Sequence, residues 1–433
     1  MAVLGRRPRA LPVVAPEPRR RLPLATEVRP SDRAAVPRYV VWELTLKCDL
    51  SCRHCGSRAG KPRANELSTA EALRVVDDLH AMGTKEITLI GGESYLHGGW
   101  LDVARAAHER GIDVGILTGG LQMTRERIAE AKAAGGSLIS VSIDALEELH
   151  DELRGKKGSY AAAMRTVCDA RDLGMRVAAN TQITRHALRQ VEPMIHGLIE
   201  LGVAGWQVSM TVPMGRAADE PDLLLQPYQV IEVLPMLARV RAHAKKHAPD
   251  FVLFPGNDIG YFGPYESLLR ENDPDQHRQA CSAGRHGMGL EADGSVKGCP
   301  SLPSRDYVGG NLREAPLKDI WERAEELRFT RERTADSLWG FCATCYYKEP
   351  CVGGCSWTAH VLFGRPGNNP YCHHRALELL AQGLRERVVR VEAPPGLPFD
   401  HGRFDCVVEP WPEDELARAR GIAATGTGFL RSD

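Results

Sequence analysis

Three cysteines near the start of the chain have the spacing of a metal-binding loop. Cys48, Cys52 and Cys55 form the pattern CxxxCxxC directly after a strand-like run, residues 39–46. Cysteine thiolates hold iron–sulfur clusters, and a cube of four irons with three protein ligands keeps one iron open for another molecule. The spacing therefore predicts an iron–sulfur centre with one reactive position.

Zinc is the alternative metal for these thiols, because clusters of cysteines in an intracellular chain are usually metal sites of some kind. A structural zinc site closes with four ligands, commonly supplied by two paired knuckles. Around residues 48–55 the sequence has no fourth cysteine and no suitably spaced histidine. The triplet thus favours iron over zinc.

A glycine motif, Gly91-Gly92-Glu93, follows the next strand-like run, residues 85–90. Alone it would indicate an ordinary buried turn. Together with WELTLKCDLSCRHC, in which His54 precedes the last cysteine, it makes the chain resemble the radical S-adenosylmethionine (radical SAM) superfamily. In that family a CxxxCxΦC loop holds a 4Fe-4S cluster and a GGE-type turn meets the amine of SAM. The resemblance implies the cluster on the cysteine triplet and SAM at the glycine motif.

Strand-like and helix-like runs alternate around these motifs. Periodicity predicts strands at 39–46, 85–90, 112–117, 137–143, 174–183 and 204–211, and helices at 68–82, 99–110, 124–134, 159–173 and 188–201. Ser68 and Glu71 form a capping box at the first of these helices. Strands that alternate with helices pair in parallel, so we expect an α/β fold with a partial (β/α)6 TIM-like barrel over residues 38–212.

Polar residues end the fourth and fifth predicted strands, where open α/β sheets and barrels bind their ligands. Ser140, Ser142 and Asp144 end the fourth strand, and Asn180 and Gln182 share one face near the end of the fifth. The resemblance implies that Ser142, Asn180 and Gln182 bind the ribose and carboxylate of SAM. Ordinary strand-end hydrogen bonding is the alternative for each of them.

A second cysteine-rich region fills the C-terminal half. Its order is Cx12Gx4C, then CxxCx5CxxxC, then one further cysteine. This order resembles the SPASM extension of radical SAM enzymes, a cysteine-rich domain of short hairpins and helices with two auxiliary 4Fe-4S clusters. The resemblance assigns Cys281, Cys299 and Cys355 to the first cluster. It assigns the remaining four to the second: Cys342, Cys345, Cys351 and Cys372.

The first auxiliary set has three cysteines, so either an open iron or a non-cysteine ligand completes it. The alternatives for the whole region are a zinc ribbon and a disulfide-stapled module. Disulfides belong to oxidising compartments, and the first forty residues contain no apolar signal segment. We therefore expect a cytoplasmic protein, and the resemblance implies that it holds three 4Fe-4S clusters.

Composition limits the partners and divides the chain. The 433 residues carry 55 Lys and Arg against 56 Asp and Glu, so the charge balance predicts no broad basic face for nucleic acid. The sequence also contains no apolar run long enough to span a membrane. The predicted regions are a disordered Arg/Pro-rich arm (1–37), the barrel (38–212), a bridging or substrate-loop region (213–280), the SPASM domain (281–375), and a C-terminal helix with a loosely structured tail (376–433).

Two cysteines and several aromatics lie outside these sets. We expect Cys168 to be a buried core thiol, because its neighbours are apolar at helical spacing, and Cys406 to be a free surface thiol in the tail. Helix-like residues 227–247 precede a stretch that reads as an ordered loop. Its aromatics either line a substrate cleft or pack together: Phe254, Tyr261, Phe262 and Tyr265.

The resemblance implies reductive cleavage of SAM to a 5′-deoxyadenosyl radical, hydrogen abstraction from a peptide or protein side chain, and oxidative completion through the auxiliary clusters. Such relatives serve in the biosynthesis of ribosomally made, modified peptides. A flavodoxin- or ferredoxin-type reductant is implied. Residues 1–37 are too few for a peptide-binding domain, so either a separate protein or the barrel and its loops would recognise the peptide, or the substrate is not a leader-bearing peptide. A radical SAM enzyme acting on a small molecule and a non-catalytic iron–sulfur scaffold are the alternatives.

Overall fold

The computed structural model describes residues 22–256, 258–259, 262–271 and 281–431. One ten-stranded sheet dominates the described residues, in the order β10-β9-β8-β1-β2-β3-β4-β5-β6-β7, and β11 pairs with β12 in a separate hairpin. The strands are β1 Tyr39–Thr45, β2 Glu86–Gly91, β3 Asp113–Thr118, β4 Gly136–Ser142, β5 Arg176–Ile183, β6 Gly205–Met210, β7 Val252–Pro255, β8 Gly287–Leu290, β9 Ser295–Lys297, β10 Val308–Asn311, β11 Leu384–Glu392 and β12 Arg403–Pro410.

Helices alternate with the first strands and then become short. The α-helices are α1 Pro30–Ala34, α2 Thr69–Ala81, α3 Trp100–Glu109, α4 Arg125–Ala133, α5 Glu147–Arg154, α6 Ser159–Asp172, α7 Leu188–Glu200, α8 Arg216–Asp219, α9 Val230–His247, α10 Glu266–Arg270, α11 Ser304–Tyr307, α12 Leu317–Arg323, α13 Phe341–Thr344, α14 Lys348–Cys351, α15 Ser356–Phe363, α16 His373–Ala381 and α17 Glu413–Thr425. No described helix combines the length and apolarity that a membrane crossing requires.

The predicted partial barrel is confirmed. Strands β1 to β7 pair in parallel with their sequence neighbours, and β8 pairs in parallel with β1 on the other side. Helix α2 begins where its capping box predicts, since the Ser68 hydroxyl accepts from Glu71 N and the Glu71 carboxylate accepts from Ser68 N. All carboxyl ends of these parallel strands share one edge, so the loops that follow them meet there.

The core lies between the sheet and the helices that cover it, and every second strand residue contributes to it. Trp42, Leu89 and Val141 are completely or almost completely buried on β1, β2 and β4. The helices exclude water from this face of the parallel sheet, which is why the strand residues on it are mostly apolar. The rigid sheet gives the loops at its carboxyl edge a fixed base.

Two predictions about the chain ends are wrong. Residues 1–37 were expected to be a disordered arm, but residues 22–37 contain α1, whose Asp32 side chain is completely buried. Residues 1–21 lie outside the described residues. The expected loosely structured tail contains β12 and α17. The composition of both segments predicts disorder, but ion pairs and apolar contacts with distant parts of the chain order them.

The bridging region also differs from its prediction. Val252–Pro255 is not a loop but β7, which adds a strand beside β6. Phe262 is buried and its ring stacks on Tyr347 at 4.8 Å, so it packs against the cysteine-rich domain. Phe254 is exposed, Tyr265 packs against the core, and Tyr261 lies outside the described residues.

The two unassigned cysteines lie elsewhere than expected. Cys168 is half-buried, because Val167 and Ala170 take the inward face of α6. Cys406 belongs to β12 and is half-buried rather than a surface thiol. Burial and the nearby Glu386 raise the pKa of Cys406 to about 12.

Candidate active site and cysteine clusters

The loop after β1 carries the cysteine triplet at the carboxyl edge of the sheet. Its backbone is fixed from outside the loop, since Arg216 Nε donates to Cys52 O at 2.6 Å and Arg216 N donates to Cys55 O at 3.0 Å. Burial raises the pKa of the Cys48 and Cys52 thiols, and each interacts unfavourably with the neighbouring thiols. One buried and two half-buried thiols therefore interact electrostatically within a single loop.

This arrangement fits an iron–sulfur cluster better than a set of isolated thiols. Buried, mutually repelling thiolates are costly unless a positive metal centre compensates for them. Three buried polar atoms next to the triplet also lack a hydrogen-bond partner among the described residues: Asp49 Oδ1, His54 Nδ1 and Arg154 Nε. A polar ligand beside the open iron position would satisfy groups of this kind.

A buried ion network connects the triplet to β4 and α5. Arg154 Nη1 donates to Cys52 Sγ at 3.7 Å, and Arg154 Nη2 pairs with Asp144 Oδ2 at 2.7 Å. His54 Nε2 lies 3.1 Å from the same Asp144 oxygen, and Gln182 N donates to Asp144 Oδ1 at 3.0 Å. Burial alone would raise the pKa of Asp144, but Arg154 and His54 hold it well below its usual range. The carboxylate is ionised and ties His54 and Arg154 to the cluster loop.

The Gly91-Gly92-Glu93 turn packs directly on the backbone of the cysteine loop. Gly92 N donates to Thr45 O at 2.8 Å, and Glu93 N donates to Lys47 O at 2.9 Å. A Cβ on Gly92 would lie 2.1 Å from Lys47 O, so only glycine permits this approach. The two predicted motifs thus form one structural unit.

Glu93 is buried beside the first cysteine. Thr118 Oγ1 and Gly119 N each donate to its carboxylate at 2.6 Å. Burial raises the pKa of Glu93 to about 8, although these two hydrogen bonds oppose the shift. A sulfur of Cys48 and carboxylate oxygens of Asp49 and Glu93 all lie within 4.8 Å of one another. Glu93 is therefore positioned at the edge of the cysteine triplet.

The three predicted ribose and carboxylate contacts lie at the same edge of the sheet. Ser142 ends β4 and is paired in register with Asn180 on β5, and Gln182 follows two residues later. All three are half-buried, whereas the residue that precedes each of them on its strand is fully buried: Val141, Ala179 and Thr181. The structure brings them to one strip of the inner face, and their contact with SAM stays a prediction.

The seven C-terminal cysteines separate into two groups. Burial and the Cys281 thiol raise the pKa of Cys299 to about 11, and the same two causes raise the pKa of Cys355. In the second group, Cys372 interacts with each of the other three thiols: Cys342, Cys345 and Cys351. These neighbourhoods agree with the division expected from the resemblance, while the ligand sets themselves stay a prediction.

A buried carboxylate lies near the three-cysteine group. Asp258 follows β7, its Oδ2 accepts from Met210 N at 2.7 Å, and it interacts electrostatically with Cys355. Burial raises the pKa of Asp258 to about 7. The side chain supplies an oxygen in the neighbourhood where a fourth cysteine is missing.

Sequence reasoning missed α5 and its Arg154. A signal was present, because Glu147 and Glu148 occupy the first turn and Gly155, in the left-handed conformation with φ 65°, follows the last residue. It also missed residues 393–402, which return to the barrel, where Asp400 Oδ1 accepts from Arg58 Nε at 2.7 Å. No local pattern marks that return, since the two residues are 342 positions apart.

Comparison with known families and proteins agrees with this geometry. The sequence model described as the Radical SAM superfamily matches residues 42–188, and that of the SPASM iron–sulfur cluster-binding domain matches residues 281–346. Both matched ranges contain the cysteines discussed above, except that Cys351, Cys355 and Cys372 follow the second range.

Two curated relatives cover most of the chain. An AdoMet-dependent heme synthase of Methanosarcina barkeri is 29% identical over 347 residues, which are 78% of this chain and 97% of the relative. The PqqA peptide cyclase of Ruegeria pomeroyi is 27% identical over 366 residues, 82% of this chain and 93% of the relative. Among solved structures, Streptococcus suis SuiB bound to S-adenosylmethionine aligns with a TM-score of 0.63 at 16% identity, covering 80% of this chain and 78% of that one, which shows a shared fold.

Proposed function

Because this chain is a radical SAM enzyme with a C-terminal SPASM domain, we propose that it abstracts a hydrogen atom from a side chain of a peptide or protein. The reaction ends in an oxidative modification, either a crosslink or a dehydrogenation. A reducing compartment such as the cytoplasm suits it, because disulfides rarely persist there and the ten cysteines assigned to clusters would stay available as ligands.

The observation that carries this proposal is the presence of three separate sets of cysteines in one chain. The triplet of Cys48, Cys52 and Cys55 has the spacing of a SAM-type cluster. The two further groups supply what an oxidation needs, a route for the electron that the substrate gives up. A radical SAM enzyme with a redox-neutral outcome has no such requirement.

The bound groups supply the redox chemistry. Cys48, Cys52 and Cys55 would hold the cluster that supplies the electron for cleavage of SAM to methionine and a hydrogen-abstracting radical. The C-terminal cysteines would hold the clusters that accept the electron lost by the substrate, whose proton leaves with it. The external electron comes from a flavodoxin- or ferredoxin-type protein in this proposal.

The protein's own residues hold these groups and keep water away. Glu93 and the backbone of Gly91-Gly92 set the position of the cysteine loop relative to β2. Asp144 is buried, Arg154 is 11% exposed, and their ion pair fixes the opposite side of the loop. We assign SAM binding to Gly91, Gly92, Glu93, Ser142, Asn180 and Gln182, and cluster binding to the ten cysteines named above.

A small molecule is the second candidate substrate. The heme synthase relative matches over 97% of its length, so an iron porphyrin is the small molecule to consider. A peptide substrate is supported by the cyclase relative, which matches over 93% of its length. A separate recognition protein would bring the peptide to the barrel.

The first experiment is anaerobic reconstitution followed by iron and sulfide analysis, with dithionite and SAM added and 5′-deoxyadenosine quantified by mass spectrometry. We expect about twelve irons per chain, four for each cluster, and formation of 5′-deoxyadenosine. The Cys168→Ala variant is the matched control, since this half-buried thiol belongs to none of the three groups. Zinc in place of iron, or intact SAM, would contradict the proposal.

Substrate assignment needs a second experiment with the reconstituted enzyme. A synthetic peptide encoded next to the gene and Fe-coproporphyrin III are incubated in parallel with SAM and reductant. Loss of two hydrogens from the peptide supports the peptide proposal. Conversion of the porphyrin with an unchanged peptide overturns it in favour of the second candidate.

A further inference from the structure

Outside the cysteine groups, two histidines and one carboxylate converge on one point. Asp306 lies on α11, His360 on α15, and His401 in the segment between β11 and β12. One ligand atom of each residue lies within 4.8 Å of the ligand atoms of the other two. The three residues come from separate parts of the chain, so folding rather than local sequence creates this cluster.

Hydrogen bonds orient both imidazole rings. His401 Nδ1 donates to the carbonyl oxygen of Gly402 at 2.8 Å, which leaves Nε2 as the nitrogen with a free lone pair. His360 Nδ1 lies 3.0 Å from the Tyr307 hydroxyl, and His360 Nε2 lies 3.3 Å from Asp306 Oδ2. Metal-binding histidines characteristically use one ring nitrogen for the metal and the other for such a partner.

The donor set matches a divalent transition-metal ion. Two imidazoles and one carboxylate bind zinc or iron(II) and leave coordination positions open. The His360 side chain is 8% exposed and that of Asp306 24% exposed, so an ion can enter from solvent and still lose most of its water. Without an ion the same atoms form a His–Asp hydrogen bond, which an incoming ion would displace.

The site joins the C-terminal segment to the barrel and to the cysteine-rich domain. His401 forms a backbone bridge with Met214, which follows β6. Phe399, two residues earlier, packs with Met214 and with Val361 of α15. An ion held by His401 and His360 would therefore fasten residues 393–402 in place beside the loop that carries the cysteine triplet.

We propose that Asp306, His360 and His401 bind one divalent transition-metal ion, in addition to the iron–sulfur clusters, and that this ion fastens residues 393–402 to α15. The site uses none of the ten cluster cysteines, and the inference does not depend on the substrate.

Zinc is the probe for the test, because its ligands can be distinguished by X-ray absorption. The cluster-loaded full chain is incubated with zinc chloride and desalted, and zinc is measured by mass spectrometry and at the zinc K-edge. We expect one zinc per chain with only nitrogen and oxygen ligands at about 2.0–2.2 Å, whereas zinc in a cysteine site shows sulfur at about 2.3 Å.

Two variants and a control make the assignment specific. His401→Ala and Asp306→Asn should each weaken zinc binding at least about tenfold, since even outer partners of metal ligands contribute that much. His186→Ala is the matched control: His186 Nε2 lies 3.5 Å from Asp222 Oδ2 in an exposed pair, and zinc binding should be unchanged. Zinc with sulfur ligands, or unchanged binding in both site variants, would overturn the proposal.

Hydrogen exchange tests the fastening role separately. Amides of residues 393–402 should exchange more slowly when zinc is bound to the wild-type chain, and His401→Ala should abolish the difference. If zinc binds with nitrogen and oxygen ligands but exchange of this segment is unaffected, the site exists and its fastening role is wrong.

Discussion

At the scale of single residues, the cysteine triplet is distinguished from other thiols by its surroundings. Cys52 is buried, interacts with Cys55, and accepts a hydrogen bond from the half-buried Arg154. Cys168 is half-buried on α6 and belongs to none of the three sets of cysteines. The same side chain therefore has two different expected roles in one protein.

Cys52→Ala should abolish reductive cleavage of SAM, because a cluster with two remaining thiolates loses the arrangement that leaves one iron open. 5′-Deoxyadenosine formation under dithionite is the measurement. The variant should retain about eight irons in its auxiliary clusters. Cys168→Ala should cleave SAM normally and lose roughly a kcal/mol or less of stability. Continued SAM cleavage by Cys52→Ala would contradict the assignment.

At the scale of elements, the turn after β2 and the loop after β1 act as one unit. The sequence predicted both motifs, but not that they touch, because contact between two loops depends on the register of β1 on β2. In the structure Gly91 is paired with Thr45, and the next residue faces Lys47 O. Spacing along a chain cannot express such a contact.

Gly92→Ala should lower the rate of SAM cleavage about a hundredfold, because its Cβ would collide with Lys47 O and displace the loop, and displacements of about 1 Å have effects of that size. Gly98→Ala is the matched control, since a Cβ there meets nothing within 4 Å. Equal rates for the two variants would show that the close packing of the turn is unimportant.

The N-terminal helix shows why composition misled the prediction. Asp32 is completely buried and pairs with Arg328 at 2.6 Å and Arg331 at 2.9 Å, and it accepts from Arg29 N at 2.9 Å. The partners are about 300 residues away in sequence, so a local count of arginines and prolines has no access to them. A buried carboxylate converts an apparently solvated arm into part of the folded structure.

Asp32→Ala should lower the free energy of unfolding by about 3–5 kcal/mol, because it removes the buried counter-charge of Arg331 and leaves Arg328 paired with Glu325 alone. Burial raises the pKa of Asp32, but the hydrogen bonds from Arg331, Arg328 and Arg29 N lower it by more. The pKa is therefore lowered from its ordinary value of 3.8. A lowered pKa means that this stabilisation is complete above the unfolded value and is lost only as the pH falls through the folded value. The deficit, measured by urea unfolding, should therefore be constant between about pH 6 and 8.

Asp102→Ala is the control for this variant. Asp102 pairs with Arg105 at 3.1 Å, but its side chain is 53% exposed, and exposed pairs contribute less than about 1 kcal/mol. A loss in Asp32→Ala no larger than that in Asp102→Ala would mean that α1 does not anchor the chain.

At the scale of the whole molecule, the alternation of strands and helices was predictable and the return of the C-terminus was not. The six predicted barrel strands and the five predicted helices between them agree with the observed ranges to within about two residues, because their apolar residues recur with a local period. By contrast, Arg375 pairs with Glu386 inside the C-terminal part, and residues 393–402 reach back to Arg58. Such contacts follow from tertiary packing, which sequence patterns do not encode.

Cys372→Ala tests whether the sets of cysteines hold separate clusters and whether electrons from the substrate pass through the second auxiliary cluster. Cys372 faces three other thiols, so its loss should reduce the iron content from about twelve to about eight per chain. SAM cleavage should persist, because the triplet after β1 is untouched, while the oxidised product disappears for lack of an electron acceptor. The control is Cys406→Ala, a half-buried thiol on β12 outside both groups, which should keep all its iron and its product. If Cys372→Ala still formed product at the wild-type rate, the second auxiliary cluster would have no part in the oxidation.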